Sequence, residues 1–482
     1  MNSTAQTTPA ATHLADCPAH VLTALYRSGQ ATPLQATQAV LARIAQHNLR
    51  LKAYCLVGTE EALAAAQAST MRWQQGQPLS PLDGVPVSIK DLILTKGWPT
   101  LRGSHTVDRH QPWDVDAPAT ARLREAGAVL LGKTATPEFG CKGETNSPAS
   151  TPDGSGTRNP WDPSKTPGGS SGGAAAAVAA GMGPIGLGTD GAGSVRIPAA
   201  FCGNVGFKPS FGRVPAYPLS PFGSVAHLGP LTMSVRDTAL MMNVIKQPDA
   251  RDWTSLPPDA TDYTVGLDDG VRGLRIAYSP TLGYASNVDP EVAAAVARGV
   301  QRLQELGAHV EAVDPGIGDP LHITIGLWFV GAWTVWNTLS VEQQARTDPD
   351  FRSEALQGAR YSALDVQQLQ MERGALGSQL RQFMQRFDLL VTPSVSIPAF
   401  DARAAGSKPM DAQAMLGWTP FSYPFNLSQQ PAISMPCGLT QAGLPGLPMG
   451  LQIVGRMFDD ALVLRAARAF ESVTPVLRPR LA

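Results

Sequence analysis

The sequence predicts an α/β fold with a largely parallel or mixed sheet, because two kinds of periodic segment alternate along the chain. Apolar residues at every second position indicate strands, and apolar residues three or four positions apart indicate helices. Of the 482 residues, 43% are hydrophobic and 16% are charged, which is typical of a soluble protein with a large core. The length favours about three domains, but no long linker, low-complexity segment or internal repeat divides the chain.

The first third of the chain contains clear signals for helices and strands. Residues 1–15 are mostly small and polar and are predicted to form a flexible tail. Thr32 and Gln35 fit a capping box with Pro33 at the first helical position, so we expect a helix to begin there. The other predicted elements of this part are helices over 19–27, 60–75 and 119–125, and strands over 53–57, 85–90 and 129–131.

The rest of the chain continues the alternation. Ser234 and Asp237 have the spacing of a helix cap, which predicts a helix that starts there. Asp289 and Pro290 open a longer helix that ends at Gly307. The other predicted elements are a helix over 461–471 and strands over 275–279, 309–313, 387–392, 431–436 and 448–454, the last two joined by a loop around 443–446.

Charge and cysteine usage exclude several classes of partner. The net charge is −1, so neither a nucleic acid nor an anionic membrane is expected as a partner. The five cysteines are scattered without a CxxC or Cys/His spacing, which favours free thiols and predicts no metal site. The N-terminus has neither a basic start nor an apolar run, and the most apolar window, 323–336, is too short to span a bilayer. We therefore expect a cytoplasmic protein.

The chain is organised around a glycine-rich stretch, 166–213. A serine pair, Ser170 and Ser171, lies between glycines and is followed by an alanine run with helix-forming composition. A second glycine-rich turn, 188–193, then leads to Ser194. Glycines beside a serine let the backbone approach a ligand closely. Two such serines on either side of one buried helix indicate two parts of a single polar site.

The residues alone leave three interpretations of this stretch. A phosphate-binding loop needs Lys followed by Ser or Thr after the glycines, and neither pair follows. Residues 169–173 fit the G-x-S-x-G pattern around Ser171, but that hydrolase motif requires a strand directly before the serine. The preceding residues, 157–169, are too rich in proline and polar groups to form one. The third interpretation is a Gly/Ala-rich packing helix with polar turns and no site.

The whole pattern resembles the amidase signature family. That family has a GGSSGG turn, an alanine-rich helix and a Thr-Asp-x-Gly-Gly-Ser turn followed by Arg-x-Pro, matched here by 168–173, by the alanine run and by 189–198. The two serines that matter in the family lie twenty-four positions apart, as Ser170 and Ser194 do. The family also has an earlier lysine on a strand that ends Ile-Lys-Asp, which is matched by Lys90.

The resemblance extends over nearly the whole chain, 32–471. It implies a single amidase signature domain, 16–482, with helices around a central mixed sheet of about eleven strands, a count that periodicity alone does not fix. By the resemblance, Ser194 is the nucleophile, Ser170 is a bridging serine held after a cis peptide bond, and Lys90 is the base. Lys90 can act only if burial lowers its pKa enough to populate the neutral amine.

The resemblance also implies an oxyanion hole and its supporting residues. The expected oxyanion donors are the backbone N–H groups of the turn that ends in the nucleophile: Gly191, Ala192, Gly193 and Ser194. The family has glycine in place of Ala192, so a positive φ at that position would strain the turn. Ser171, Asp190 and Arg196 are expected to support the site as neighbours of the catalytic residues. The alternatives are that Ser171 is an ordinary turn serine and that Asp190 and Arg196 form a purely structural ion pair. His227 is expected to be a packed core histidine.

A hydrophobic substrate pocket is predicted from three segments, 139–146, 323–336 and 418–426. The predicted lining residues are Gly140, Cys141, Trp328, Phe329, Trp333 and Phe421. The alternative is that these side chains pack in the core. It applies to the aromatic residues, because they have helical spacing, and to the cysteine. The three segments hold one lysine and no arginine, whereas a carboxylate-bearing substrate such as glutamine would need a cationic clamp. We therefore expect a neutral aryl or long acyl amide as substrate.

Two functions fit the resemblance. The first is a stand-alone amidase that cleaves the C–N bond of neutral, hydrophobic or aryl amides, or related carbamates (urethanes) and aryl esters, through an acyl-enzyme. It would need no cofactor, and its partner would be the small-molecule amide or carbamate; a homodimer is left open. The second is a glutaminase-type subunit of a tRNA-dependent amidotransferase, which shares the motifs NPWD, GRV and MGLQIVG.

One residue favours the stand-alone enzyme. The amidotransferase subunit usually has glutamine between the arginine and the proline of the signature, where this chain has Ile197. A third interpretation, an inactive binding protein with the same fold, is disfavoured because Lys90, Ser170 and Ser194 are all present.

Overall fold

Within residues 13–441 and 446–481, eleven strands form one mixed sheet, which confirms the predicted fold class and the strand count implied by the resemblance. A computed structural model describes residues 13–441 and 446–481 of the chain. The strands in chain order are β1 (Tyr54–Val57), β2 (Pro86–Lys90), β3 (Val129–Thr134), β4 (Ile185–Asp190), β5 (Val205–Lys208), β6 (His227–Thr232), β7 (Arg275–Tyr278), β8 (His309–Ala312), β9 (Leu389–Pro393), β10 (Ala432–Leu439) and β11 (Pro448–Gly455). Across the sheet their order is β1-β3-β2-β4-β6-β5-β10-β11-β9-β7-β8.

Helices flank the sheet along the whole described chain. They are α1 (Ala19–Ser28), α2 (Pro33–Leu51), α3 (Thr59–Gln74), α4 (Pro118–Glu125), α5 (Gly172–Ala179), α6 (Arg196–Cys202), α7 (Val235–Ile245), α8 (Pro290–Glu305), α9 (Leu321–Trp336), α10 (Val341–Gln344), α11 (Pro349–Gly358), α12 (Ala363–Phe383), α13 (Ala412–Leu416), α14 (Pro424–Leu427) and α15 (Asp460–Val473). The largest apolar cluster joins the sheet to α7, α8 and α15. None of the described helices is long and apolar enough to cross a membrane.

The centre of the sheet brings distant parts of the sequence to one edge. Strand β2 lies between β3 and β4 and runs parallel to both. Because parallel strands end at the same edge of a sheet, Lys90 at the end of β2 comes close to Thr189 near the end of β4. Helix α5 carries the serine pair to the same edge. All eight of its residues are buried, and their small side chains let the helix lie close against β4, with Gly186 next to Ala174.

Most predicted elements are present, with ends that differ by a few residues. The capping box of Thr32 and Gln35 is confirmed, with both hydrogen bonds formed and proline at the start of α2. Asp289 caps α8 as expected, accepting hydrogen bonds from two N–H groups of its first turn. The strand predicted over 129–131 continues to Thr134 because its residues 132–134 are also buried and paired with β1 and β2.

The predicted cap at the start of α7 needs correction. Ser234 occupies the N-cap position, but its side chain makes no capping hydrogen bond. The carboxylate of Asp237 is used elsewhere: it accepts from the N–H groups of Ala19 and His20, 2.7 and 2.9 Å away, at the start of α1. Pro18, which precedes α1, has no side chain that could cap that helix. Asp237 therefore ties α1 to α7, a long-range cap that local sequence spacing does not reveal.

Two predictions fall partly outside the described residues. Of the tail predicted over 1–15, residues 1–12 lie outside them. Leu14–Asp16 form a 3-10 helix in which Ala15 is buried, so this end of the predicted tail belongs to the fold. The loop predicted around 443–446 also lies outside the described residues, apart from Gly446.

Candidate active site

Lys90 is a fully buried lysine at the edge of the sheet. Every residue of β2 is buried, and the side chain of Lys90 is 0% exposed. Burial holds its pKa well below the usual lysine range, and the distant carboxylate of Asp190 opposes this shift only in part. The next residue, Asp91, pairs instead with Lys133 on β3, at 3.4 Å. Lys90 is therefore left without a carboxylate partner among the described residues.

The partners of Lys90 are three hydroxyl groups. Its Nζ lies 2.6 Å from Ser170 Oγ, 3.0 Å from Ser171 Oγ and 2.8 Å from Thr189 Oγ1. Thr189 was not among the residues predicted to take part in the site, although it lies in the signature motif next to Asp190. The parallel pairing of β2 and β4 is what places it beside the lysine.

Ser171 supports this arrangement through both of its hydrogen-bonding roles. Its Oγ donates to the carbonyl oxygen of Thr189, 3.0 Å away, and accepts from the N–H of the same residue. Because its one proton is used in this way, the bond to Lys90 must be donated by the lysine. The peptide bond between Gly169 and Ser170 is cis, as the resemblance implies. The N–H of Ser171 donates to the carbonyl oxygen of Ser194, so the two serine-bearing turns are joined directly.

The turn that leads to Ser194 leaves three N–H groups free to bind an oxyanion. The N–H of Gly193 donates to Asp190 Oδ1 at 2.8 Å, which corrects the expectation that it faces the oxyanion. The N–H groups of Gly191, Ala192 and Ser194 have no hydrogen-bond partner within 13–441 and 446–481. These three N–H groups are therefore free to bind a ligand. Because of the role expected for it, the turn that carries them, residues 190–194, is referred to as the oxyanion turn.

Ala192 is accommodated without backbone strain. The left-handed conformation of this turn falls on Gly193, with φ 122°, and not on Ala192. The carbonyl oxygen of Ala192 accepts a hydrogen bond from Ser422 Oγ at 2.6 Å, which fixes the turn from outside. Gly191 is required for a different reason: a Cβ there would lie 2.8 Å from the ring of Trp328.

Asp190 and Arg196 form a buried bidentate ion pair beneath the turn. The Nε and Nη2 atoms of Arg196 donate to the two carboxylate oxygens of Asp190, 3.0 and 2.9 Å away. Burial would raise the pKa of Asp190, but Arg196 holds it well below its usual range. The remaining donors of Arg196 bond to three partners from the C-terminal part of the chain: Ser422, Asn426 and Gln452. The pair therefore anchors the oxyanion turn to β11 and α14.

A cavity of about 920 Å³ opens beside the serines. Ser170, Ser194, Thr189 and Gly191 line it, together with the predicted pocket residues Gly140 and Trp328. Most of the other lining side chains are apolar or aromatic: Leu92, Ile93, Ala117, Phe139, Ala216, Tyr217, Pro218, Leu219, Pro221, Phe222, Ala226, Leu228 and Val335. The cavity therefore offers a mostly apolar surface to a molecule that binds beside the serines.

The other four predicted pocket residues do not line this cavity. Cys141 and Phe329 are buried in the packing between α9, α11 and the segment after β3, and Trp333 packs against the same cluster. Phe421 belongs to the cluster formed with α12. Burial raises the pKa of the Cys141 thiol well above its usual value, so this cysteine stays protonated and unreactive.

Trp328 forms the aromatic wall of the cavity. Its ring stacks on Phe222 with 4.0 Å between centroids and 14° between planes. Its Nε1 donates to the carbonyl oxygen of Cys141 at 3.2 Å, which fixes the orientation of the ring. Because the ring also touches Gly191, it connects the apolar wall to the oxyanion turn.

His227 also lines the cavity, which the sequence did not predict. Its Nδ1 lies 2.8 and 3.3 Å from the carbonyl oxygens of Val225 and Asp190, so Nδ1 carries the proton. Burial holds the pKa of His227 well below its usual value, and the ring is therefore neutral. The side chain also borders a neighbouring cavity of about 620 Å³.

Arg102 is a second ionisable lining residue that the sequence did not reveal. The three segments from which the pocket was predicted hold no arginine, and Arg102 lies outside all of them. It follows β2 in a loop whose course periodicity cannot predict, and only the fold brings that loop to the cavity. The pocket therefore contains an arginine, which corrects the expectation of an apolar pocket without a cationic clamp.

The comparison with known proteins decides the family. The model of the Amidase family matches residues 35–464, which is most of the chain. The chain belongs to the amidase signature family. As a member of this family it is a hydrolase that acts on C–N bonds.

The similar proteins include amidotransferase subunits as well as amidases. The chain is 37% identical to a Glutamyl-tRNA(Gln) amidotransferase subunit of Chloroflexus aurantiacus, with 94% of this chain and 96% of that protein covered. It is also 37% identical to an acylamidase of Rhodococcus erythropolis, with 93% of both proteins covered. The structure of a bacterial aryl acylamidase matches with a TM-score of 0.86 and 31% identity, covering 95% of this chain and 96% of that one.

Proposed function

We propose that this protein is a stand-alone amidase that hydrolyses neutral, hydrophobic or aryl amides, and related carbamates and aryl esters, at Ser194. The observation that carries the proposal is the combination of Ser170 and Ser194 with an apolar cavity wall that includes Phe222 and Trp328. Burying an apolar substrate surface contributes about 25 cal/mol per Å², so an aryl group gains far more from this wall than a small polar group.

In the proposed acylation step, Lys90 acts as the base through Ser170. The neutral amine of Lys90 accepts the proton of Ser170 Oγ, which in turn accepts the proton of Ser194 Oγ. Ser194 Oγ attacks the carbonyl carbon and forms a tetrahedral intermediate. The negative oxygen is stabilised by the free N–H groups of the oxyanion turn. The proton returns through Ser170 to the amide nitrogen, the C–N bond breaks, and the amine leaves.

In the proposed deacylation step, the proton moves from a water molecule through Ser170 and Lys90 back to Ser194. A water molecule attacks the acyl carbon while Ser170 and Lys90 accept one of its protons. The ester bond to Ser194 then breaks, Ser194 Oγ recovers a proton from the relay, and the carboxylic acid is released. The same steps cleave an aryl ester, from which a phenol leaves in place of the amine, and a carbamate, in which the amine leaves and the group on Ser194 is an alkoxycarbonyl group that water releases as a carbonic acid monoester. No step of this scheme uses a cofactor.

The second candidate is a glutaminase-type subunit of a tRNA-dependent amidotransferase. The 37% identity to the Chloroflexus aurantiacus protein supports it as strongly as the equal identity to the acylamidase supports the first candidate. Ile197 favours the stand-alone enzyme: it is buried and its side chain lies against Gly168 and Gly193, at the position where the amidotransferase usually has a polar glutamine.

Measured kcat/KM values distinguish the two candidates. We expect the protein expressed alone to hydrolyse 4-nitroacetanilide at least tenfold better than glutamine, a difference of about 1.4 kcal/mol in transition-state binding. Gel filtration of the same sample establishes whether the active species contains only this chain, as a monomer or a homodimer. A preference for glutamine, or activity that appears only with added partner subunits, would favour the second candidate.

We also propose a cytoplasmic location. All five cysteines are free, and four of them are buried. Free thiols are typical of reducing compartments.

A further inference from the structure

Arg102 is the one charged residue among those that line the catalytic cavity of the described chain. Its backbone is fixed at both ends: its N–H donates to the carbonyl oxygen of Asp91, and its carbonyl oxygen accepts from the N–H of Phe139. Its φ of 58° lies in the left-handed region that non-glycine residues rarely adopt. The segment therefore holds Arg102 at the cavity rather than leaving it free in solvent.

The guanidinium of Arg102 has no ionic partner of its own. It makes no hydrogen bond or ion pair with any residue in 13–441 or 446–481, and the cavity lining contains no Asp or Glu. The nearest acid that acts on it is Asp91, which is buried and pairs with Lys133. The hydrogen bond between Lys90 and Ser170 does not involve Arg102. A largely desolvated cation without a counterion is unfavourable, and an anionic ligand would offset this cost.

We propose that Arg102 binds a carboxylate on the substrate, at a position remote from the scissile amide. This inference rests on the proposed function and refines its substrate class: neutral aryl amides are substrates, and those with an added carboxylate at the far end are better ones. The planar guanidinium fits a carboxylate through two parallel hydrogen bonds. One cation balances one carboxylate, whereas a phosphate would bring nearly two negative charges into the same apolar cavity.

The test uses pairs of substrates that differ in charge but hardly in shape, because a nitro group is a neutral isostere of a carboxylate. The first pair places the difference on the leaving group: 4-acetamidobenzoate and 4-nitroacetanilide. The second places it on the acyl group: the anilides of 3-(4-carboxyphenyl)propanoic and 3-(4-nitrophenyl)propanoic acid. For each pair, the ratio of kcat/KM for the charged to the neutral member is measured in the wild type and in variants. Electronic effects of the nitro group cancel when these ratios are compared.

We expect Arg102→Met to lower this ratio by about tenfold or more for at least one pair, since charged hydrogen bonds are the strong ones. Arg102→Lys keeps the positive charge, and lysine, like arginine, is a non-glycine residue that must adopt the positive φ of this position. This variant should retain part of the preference for the charged substrate. Arg109→Gln removes an exposed positive charge from the same segment and should leave the ratio unchanged. Equal ratios in the wild type and Arg102→Met for both pairs would overturn the inference, as would an equal loss in Arg109→Gln.

A binding measurement keeps the inference separate from the proposed function. Calorimetry on Ser194→Ala and on Ser194→Ala/Arg102→Met gives the affinities of 4-acetamidobenzoate and 4-nitroacetanilide without turnover. We expect the double variant to lose affinity for the carboxylate at least tenfold more than for the nitro compound. Equal losses overturn the role of Arg102 even if anilides are hydrolysed. A selective loss supports that role even if the wild type proves to be a poor anilide hydrolase, an outcome that counts against the proposed function alone.

Discussion

At the scale of single residues, burial lowers the pKa of Lys90, as its proposed role as a base requires. Two buried lysines lie on adjacent strands, and the acid that follows Lys90 in the sequence pairs with the other one, Lys133. Lys90 faces three hydroxyl groups instead. Hydroxyls stabilise an ammonium less than a carboxylate does, so desolvation determines the shift and the pKa of Lys90 falls.

The lowered pKa of Lys90 predicts that activity rises with pH. Only the neutral amine accepts a proton, and the neutral fraction grows as the pH increases through the pKa of Lys90, which burial places below the usual lysine value. We expect kcat/KM for 4-nitroacetanilide to increase from acidic to alkaline pH and to reach its plateau on the alkaline side. Lys90→Arg, which stays charged, should be inactive over the whole range. An optimum below about pH 6 would contradict a lysine base.

Ser170 and Ser194 should differ in the cost of their removal. Ser194→Ala removes the nucleophile and should reduce hydrolysis to background. Ser170→Ala removes one step of the proton path and should lower kcat by about 10²–10⁴-fold, the range of general acid-base catalysis. Steady-state kinetics on one anilide with both variants measures the difference. If Ser170→Ala costs as much as Ser194→Ala or more, the two roles are exchanged.

At the scale of elements, the helices and strands with strong local sequence signals were the ones that could be predicted. The capping box of α2 and the Asp289 cap of α8 are examples. Strand β6 was missed because a glycine and a proline interrupt its apolar pattern. The fold requires that glycine: a Cβ at Gly229 would lie 1.9 Å from the carbonyl oxygen of Phe207 on β5. Helix α12 was also missed, although Leu369, with Leu376 and Leu380, gives it a buried stripe at helical spacing.

The long-range cap between α1 and α7 leads to a stability prediction. Asp237 is fully buried and accepts two backbone hydrogen bonds from α1. Asp237→Asn keeps the shape but loses the charge and one acceptor, and we expect it to lower the free energy of unfolding by about 1–2 kcal/mol. Ser234→Ala, at the position that local spacing would identify as the cap, should cost less than about 0.5 kcal/mol. Urea unfolding of both variants measures the difference, and equal costs would refute the long-range cap.

At the scale of the whole molecule, the sequence indicated candidate catalytic residues but not the pocket that surrounds them. Lys90, Ser170 and Ser194 lie in short motifs, so the resemblance of these motifs to those of the family was enough to propose their roles. The cavity wall is assembled from separate segments such as those of Arg102, Tyr217 and Trp328. Only the topology of the sheet and the course of the loops determine which side chains meet there, and these are long-range properties.

The most direct test of the proposed mechanism is to locate the acyl group during turnover. The protein is mixed with an excess of a 4-nitrophenyl ester or nitroanilide, quenched with acid, and digested for mass spectrometry. Trypsin leaves Ser170 and Ser194 on one peptide, 166–196, so fragment ions must assign the added mass. We predict an acyl group on Ser194 in the wild type and none in Ser194→Ala. An acyl group on Ser170, Ser171 or Cys141, or undiminished hydrolysis by Ser194→Ala, would contradict the proposed mechanism.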